Sequence, residues 1–243
     1  LTLARRVHAR EVASKVEGSG TPPPAYSSKK VFQFILEALG VLSPYSPLLS
    51  LKLFLLSARG ADACQYPPIS YEFLKEGLLL YEMEVSDSRE QVEALGECIG
   101  CILTCTSLSA EDYAPLITKV AQYANKLLKK ADQCKMLSLA SLLFWHSGIS
   151  GTTGESAFSD PDRVLECMQR ALKIASTANP LLFVELLDRY LFYFEKGCEG
   201  VQVRYVSGLI ALIQEQFTSD PSSVLPAVQA HYMNTLGTYG VCM

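Results

Sequence analysis

The 243-residue sequence has no surplus of positive charge: 21 Lys and Arg stand against 25 Asp and Glu, a formal net charge of -4. Without an overall basic field, nucleic acid and anionic membrane surfaces are poor candidates as partners. Long apolar runs are also missing, since the most apolar stretch, Leu48 to Leu56, is interrupted by Lys52 and Ser50 and is far too short to span a bilayer. No apolar segment follows Arg5 and Arg6 as a secretory signal would require. No Asn-X-Ser/Thr sequon occurs, and neither phosphate-binding glycine loop, Gly-X4-Gly-Lys-Ser/Thr or Gly-X-Gly-X2-Gly, is present. Period-2 alternation is almost wholly absent, which argues against a sheet protein. A strict internal repeat is missing too, which disfavours tetratricopeptide and ankyrin arrays.

Helical periodicity fills this space. About eleven helices are expected, roughly at 1–17, 29–41, 47–59, 68–85, 88–106, 110–129, 131–147, 161–177, 180–196, 200–217 and 221–239. Asp160-Pro161, Asn179-Pro180 and Asp220-Pro221 read as helix openings. Asp87 with Glu90 and Ser109 with Asp112 read as capping pairs. Most joints are short, so neighbouring helices should pack antiparallel. Two longer polar segments, Glu17 to Tyr26 and Gly148 to Ser159, read as solvated insertions. The helix at 180–196 is apolar on most sides, leaving a narrow stripe of Glu185, Asp188, Arg189, Glu195 and Lys196, so it must be covered from several directions. Many short helices with short joints and no strict period fit one section, residues 1–243, of a right-handed α-solenoid of HEAT-like hairpins. The chain opens without an initiator Met inside a helical pattern, so it is read as starting partway along a longer protein.

The eight cysteines lie mostly within apolar helical segments, which reads as reduced and intracellular. Cys98, Cys101 and Cys105 fall at i, i+3 and i+7, with Leu95 and Ile102 extending the same face. As ligands they lack a second cysteine pair, whereas as small hydrophobes they make a buried helix seam, which is the reading adopted. No metal or cofactor is expected. Gly148-Ile149-Ser150-Gly151-Thr152 and Gly154-Glu155-Ser156-Ala157-Phe158 both miss the closing glycine of a nucleophile elbow and follow no strand. His8, His146 and His231 lie in three separate helical regions, each read as a structural residue. Lys126, Lys129 and Lys130 cluster at a helix end, where cations oppose the dipole. Nothing in these patterns supports an enzyme.

Longer motifs carry more. Lys126-Leu127-Leu128-Lys129-Lys130-Ala131-Asp132-Gln133, followed by Leu143-Phe144-Trp145, resembles the LLKK-x-DQ and LFW segments of the vacuolar protein sorting-associated protein 35 family, the large scaffold subunits of retromer. Residues 163–175 (RVLECMQRALKIA) are similar to that family's RVxECLKKALKIA, and 188–196 (DRYLFYFEK) to its NRYxYFYEK. Tyr71-Glu72-Phe73, Val85-Ser86-Asp87-Ser88 and Asn234-Thr235-Leu236 resemble its YEF, ISDS and HNTL, so the likeness runs in order along nearly the whole chain.

The resemblance implies the C-terminal half of such a subunit, without enzymatic activity. It also implies a cytoplasmic protein, peripheral on endosomal membranes and touching them only through the coat. The implied partner is the metallophosphoesterase-fold subunit, vacuolar protein sorting-associated protein 29, while the arrestin-like subunit is held by a PRLYL motif that this sequence does not contain. Implied partner-contact candidates are Gln133, Leu142, Trp145, His146, Tyr190 and Tyr193. The family commonly places histidine directly before LFW, where this chain has Leu142, and its own His146 follows Trp145 instead. Two other readings stay open: a helical adaptor for other trafficking proteins, and a thiol- or metal-dependent protein using the three-cysteine stripe.

Overall fold

Proline at the first helical position opens four of the helices, at Pro47, Pro67, Pro161 and Pro226, where its missing N–H is no loss. Acidic caps open others: the Asp87 carboxylate accepts from the Arg89 and Glu90 amides, and the Asp160 carboxylate accepts from the Arg163 amide. Ser109 and Asp112 form the expected reciprocal pair.

In this computed structural model, residues 1–16, 22–146, 158–179, 181–219 and 224–238 are described. Among them are eleven α-helices: α1 (Thr2–Ser14), α2 (Ser28–Leu42), α3 (Pro47–Ala63), α4 (Pro67–Glu84), α5 (Ser88–Thr104), α6 (Ala110–Lys126), α7 (Lys130–Ala140), α8 (Pro161–Ala178), α9 (Leu182–Glu195), α10 (Val203–Ser219) and α11 (Pro226–Thr238). Pro115 sits in the second turn of α6, where the backbone bond it forfeits would have reached only the first turn. The openings at Pro180 and at Asp220-Pro221 lie outside the described residues.

One expected helix is corrected. The segment 131–147 is helical only to Ala140, continues as a 3-10 turn over Ser141–Phe144, and ends as β1 (Trp145–His146), paired antiparallel with β2 (Phe158–Ser159). The Phe144 carbonyl, which a longer helix would have used internally, instead accepts from the Asp160 amide at 2.8 Å. Capture by a segment arriving from farther along the chain has outcompeted local propensity.

The described residues fall into two compact units, Leu1–Val120 and those from Ala121 onward, the division lying inside α6. In the first unit α3 is covered on several sides and buries Leu51, Phe54, Leu55, Ala58 and Ala61. The Ser70 hydroxyl of α4 donates to the Ala58 carbonyl at 3.1 Å, and Phe73 of α4 meets Phe54 of α3. That register makes α3 and α4 antiparallel. Lys52 of α3 pairs with Glu93 and Glu97 of α5, and the Cys101 thiol donates to the Leu55 carbonyl at 3.3 Å, so α3 and α5 run parallel.

The second unit repeats the pattern. The Cys134 thiol of α7 donates to the Ala171 carbonyl of α8 at 3.4 Å while Arg163, at the start of α8, stacks over Phe144, beyond the end of α7. Lys135 and Ser141 meet Glu185 and Tyr193 in parallel order, setting α9 alongside α7. Antiparallel neighbours and parallel alternates are the layering of helical hairpins, and the fold is all-α.

The joint from α9 to α10 depends on glycine. A Cβ at Gly200 would lie 2.4 Å from the Pro161 carbonyl oxygen and 3.0 Å from its carbon, at the first turn of α8. Gly200→Ala is expected to cost about 1–3 kcal/mol through forced backbone displacement. A urea-denaturation midpoint indistinguishable from wild type would contradict this close approach.

Candidate functional site

In the second unit, α7, α9 and α11 present their side chains along one row. The exposed stripe of α9 anticipated from sequence becomes the wall of a groove of about 550 Å³ between these helices. Cys134, Leu182 and Leu186, all buried, form its apolar floor. Most of the charge along it is already matched. Lys135 of α7 pairs with Glu185 of α9 at 3.1 Å. The Asp188 carboxylate bonds His231 of α11 at 2.6 Å and accepts from the Thr235 hydroxyl at 2.8 Å. Arg189, half-buried, lines the same groove; its guanidinium lies 5.9 Å from the Phe192 ring, and its Nε is enclosed without a hydrogen-bond acceptor among the described residues.

The six anticipated contact residues are not brought onto one surface. Tyr193 is fully buried and its hydroxyl shares a 2.7 Å bond with the Ser141 hydroxyl; burial pushes its phenol well above the ordinary range. Tyr190 is 1% exposed with its hydroxyl enclosed, so neither tyrosine presents its ring or hydroxyl to a partner directly. Gln133 is also interior: its amide nitrogen donates to the Asn125 carbonyl and its oxygen accepts from the Lys130 ammonium at 3.1 Å, tying the end of α6 to the start of α7. These three can shape a partner surface only by positioning the helices that present it.

Leu142 and Trp145 are half-buried, beside the fully enclosed Leu143 and Phe144. The indole Nε1 of Trp145 is enclosed without an acceptor among the described residues. The side chain of His146 lies outside the described part of the chain. Sequence reading thus picked out the aromatic face of α9, whereas the groove is built on its polar one. The available signal was the stripe Glu185, Asp188 and Arg189. Its partners Lys135 and His231 are 50 and 43 residues away from Glu185 and Asp188 in sequence, and only the layering of α7, α9 and α11 unites them.

Groups that could do chemistry are committed elsewhere. In the first unit, His8, Glu11, Ser28 and Tyr66 form a cluster that resembles a catalytic set in composition alone. The Ser28 hydroxyl is fully buried, donates to the Glu11 carboxylate and lies 2.8 Å from the Tyr66 hydroxyl, while His8 reaches Tyr66 at 3.2 Å and not the serine. The serine's proton faces the Glu11 carboxylate and not the imidazole, and with its hydroxyl fully buried the cluster clamps α1 to the start of α2 and to the α3–α4 joint. Burial opposes ionisation of Glu11, yet the hydrogen bonds from Ser28 and Tyr66 and the neighbouring His8 outweigh it and hold the carboxyl below its ordinary value.

The thiols behave as hydrophobes. Cys98, Cys101 and Cys105 are buried, as are the other described cysteines, and none is in a disulfide; Cys242 lies outside the described residues. Burial pushes the Cys98 thiol up to about 12, and those of Cys134 and Cys167 up to about 11. Among the described residues no three His, Cys, Asp or Glu side chains are grouped to hold a metal ion, and no helix is long and apolar enough to cross a membrane.

Comparison with known proteins places this geometry in context. The family model for vacuolar protein sorting-associated protein 35 matches residues 1–216. The chain is 39% identical over 212 residues to vacuolar protein sorting-associated protein 35A of Arabidopsis thaliana, covering 81% of this chain and 26% of that protein. It is 40% identical over 176 residues to vacuolar protein sorting-associated protein 35 of Schizosaccharomyces pombe, covering 70% of this chain and 21% of that protein. Against protein 35B of Arabidopsis thaliana the identity is 33% over 233 residues, 90% of this chain and 28% of that protein. The chain therefore spans roughly a quarter of the length of these curated relatives.

Proposed function

The chain belongs to the vacuolar protein sorting-associated protein 35 family, and from that premise we propose that it is a non-enzymatic scaffold section of the retromer coat. It serves endosome-to-Golgi and endosomal recycling transport by holding the metallophosphoesterase-fold subunit, vacuolar protein sorting-associated protein 29, against its helices. It is cytoplasmic and reaches endosomal membranes only through the coat.

The observation that carries this reading is the α7, α9 and α11 row, a helical face with an apolar-floored groove. Stacked helical hairpins offer extended surfaces of this type, and a few well-packed anchors supply most of the affinity for a globular partner. The interior commitment of Ser28, His8 and the thiols adds support, because these groups are placed to hold helices together and not to meet a substrate.

Isothermal titration of the purified chain with the metallophosphoesterase-fold subunit tests the proposal. Binding at micromolar concentration or tighter is expected, with no heat from the arrestin-like subunit. Absence of binding to the first subunit at micromolar concentrations would overturn the reading.

A further inference from the structure

We infer that the groove between α7, α9 and α11 is where the partner subunit seats a carboxylate-bearing residue of an apolar segment, with Arg189 as the cation that receives it. The inference rests on the scaffold reading above and adds the chemistry of the contact. Of the five Lys, Arg, His, Asp and Glu side chains along the groove, four are matched to each other: Lys135 with Glu185, and His231 with Asp188. Arg189 is the remaining one. Its Nε is enclosed and lacks an acceptor among the described residues, although a guanidinium normally places its donors on oxygen when it leaves bulk water.

A donor left in that condition favours any ligand that supplies an acceptor. Arg189 is the cation in the groove without an anionic partner among the described residues, so the complementary group is an anion, and the buried floor of Leu182, Leu186 and Cys134 calls for apolar atoms beside it. An Asp or Glu flanked by an apolar residue on a folded partner meets both demands. The carboxylate takes hydrogen bonds from the guanidinium while the apolar neighbour covers the floor. The adjacent Asp188 does not already serve this purpose, because its two oxygens face His231 and Thr235 of α11.

The test measures binding of the metallophosphoesterase-fold subunit to the purified chain and to three variants, each checked for wild-type helicity and melting. Arg189→Met should weaken binding about tenfold to a hundredfold, the worth of a charge-assisted hydrogen bond at a closed contact. It should also flatten the salt dependence seen with wild type. Met136→Glu leaves Arg189 in place but puts a competing carboxylate into the groove, and should weaken binding comparably. Lys173→Met, the same loss of charge on an exposed site of α8 outside the groove, should bind within twofold of wild type. If wild type binds and both groove variants bind within twofold of it, the inference is overturned while the scaffold reading stands. If wild type itself does not bind, both fall together.

Discussion

Phe73→Ala should lower the stability of the first unit by about 3–5 kcal/mol, the range for truncating a large aromatic in a closed core. Phe73 is fully buried where α2, α3 and α4 meet. Its ring stands edge-on to Phe32 of α2 at 6.2 Å and 68°, and tilted against Phe54 of α3 at 6.3 Å and 53°. Alanine would remove apolar volume and both ring contacts at once, and such pairs add about 0.5–1.5 kcal/mol beyond burial. The two ring neighbours come from two other helices, so partial collapse cannot refill the space without shifting both. Against a typical domain stability of about 5–15 kcal/mol, the loss is large enough to leave an appreciable unfolded population. Phe73→Leu, which keeps much of the volume, should cost much less. Urea denaturation followed by far-ultraviolet circular dichroism measures the difference. A loss under about 1 kcal/mol for the alanine variant would mean that the three-helix junction is not the closed core described here.

The same junction shows how far the sequence could be read. Helix type and number were legible because buried positions recur with helical period and because prolines and acidic caps mark the starts, as at Asp87 and Asp160. Tyr71-Glu72-Phe73 drew notice as a motif, but nothing local in it says that Phe32 and Phe54 close around Phe73. The Cys98, Cys101 and Cys105 stripe was legible as a seam for the opposite reason: α5 carries the first two and Cys105 caps its C-terminal end, so local spacing alone keeps them together. The end of α7 was misread because Leu142, Leu143, Phe144 and Trp145 continue an apolar pattern that suits a helix. The Asp160 amide and β2, which divert that segment, lie 12 to 16 residues farther along the chain than the residues they meet.

The candidate groove divides along the same line. The stripe on α9 was visible as a solvent-facing side of an otherwise apolar helix. That Asp188 would be claimed by His231 and Thr235, leaving Arg189 over, follows only from the placement of α11 beside α9. Local periodicity reports which side of a helix faces outward, and tertiary layering decides which charges are spent there.

Asp62→Ala is the second change with a large expected effect, about 2–4 kcal/mol, and it acts through hydrogen bonds instead of volume. Asp62 lies in the last turn of α3 and is 6% exposed, an unusual setting for a carboxylate without a cation. Three donors from the joint between α5 and α6 satisfy it. Its Oδ1 accepts from the Ser107 amide at 2.9 Å and the Ser107 hydroxyl at 2.6 Å, and its Oδ2 accepts from the Thr106 amide at 3.2 Å. Alanine removes the acceptor for all three, and only some of the loss can be recovered from water because Ser107 is half-buried. Asp62→Asn keeps one carbonyl oxygen for Ser107 but turns an N–H₂ group toward the Thr106 amide. It should therefore fall between wild type and alanine. Hydrogen exchange at the Thr106 and Ser107 amides separates this account from a general loss of stability: both should exchange faster in Asp62→Ala by a larger factor than amides in the middle of α3. If the α3 and joint amides accelerate equally, the carboxylate is not what fastens the joint, and the cost must be assigned to the packing of α3 itself.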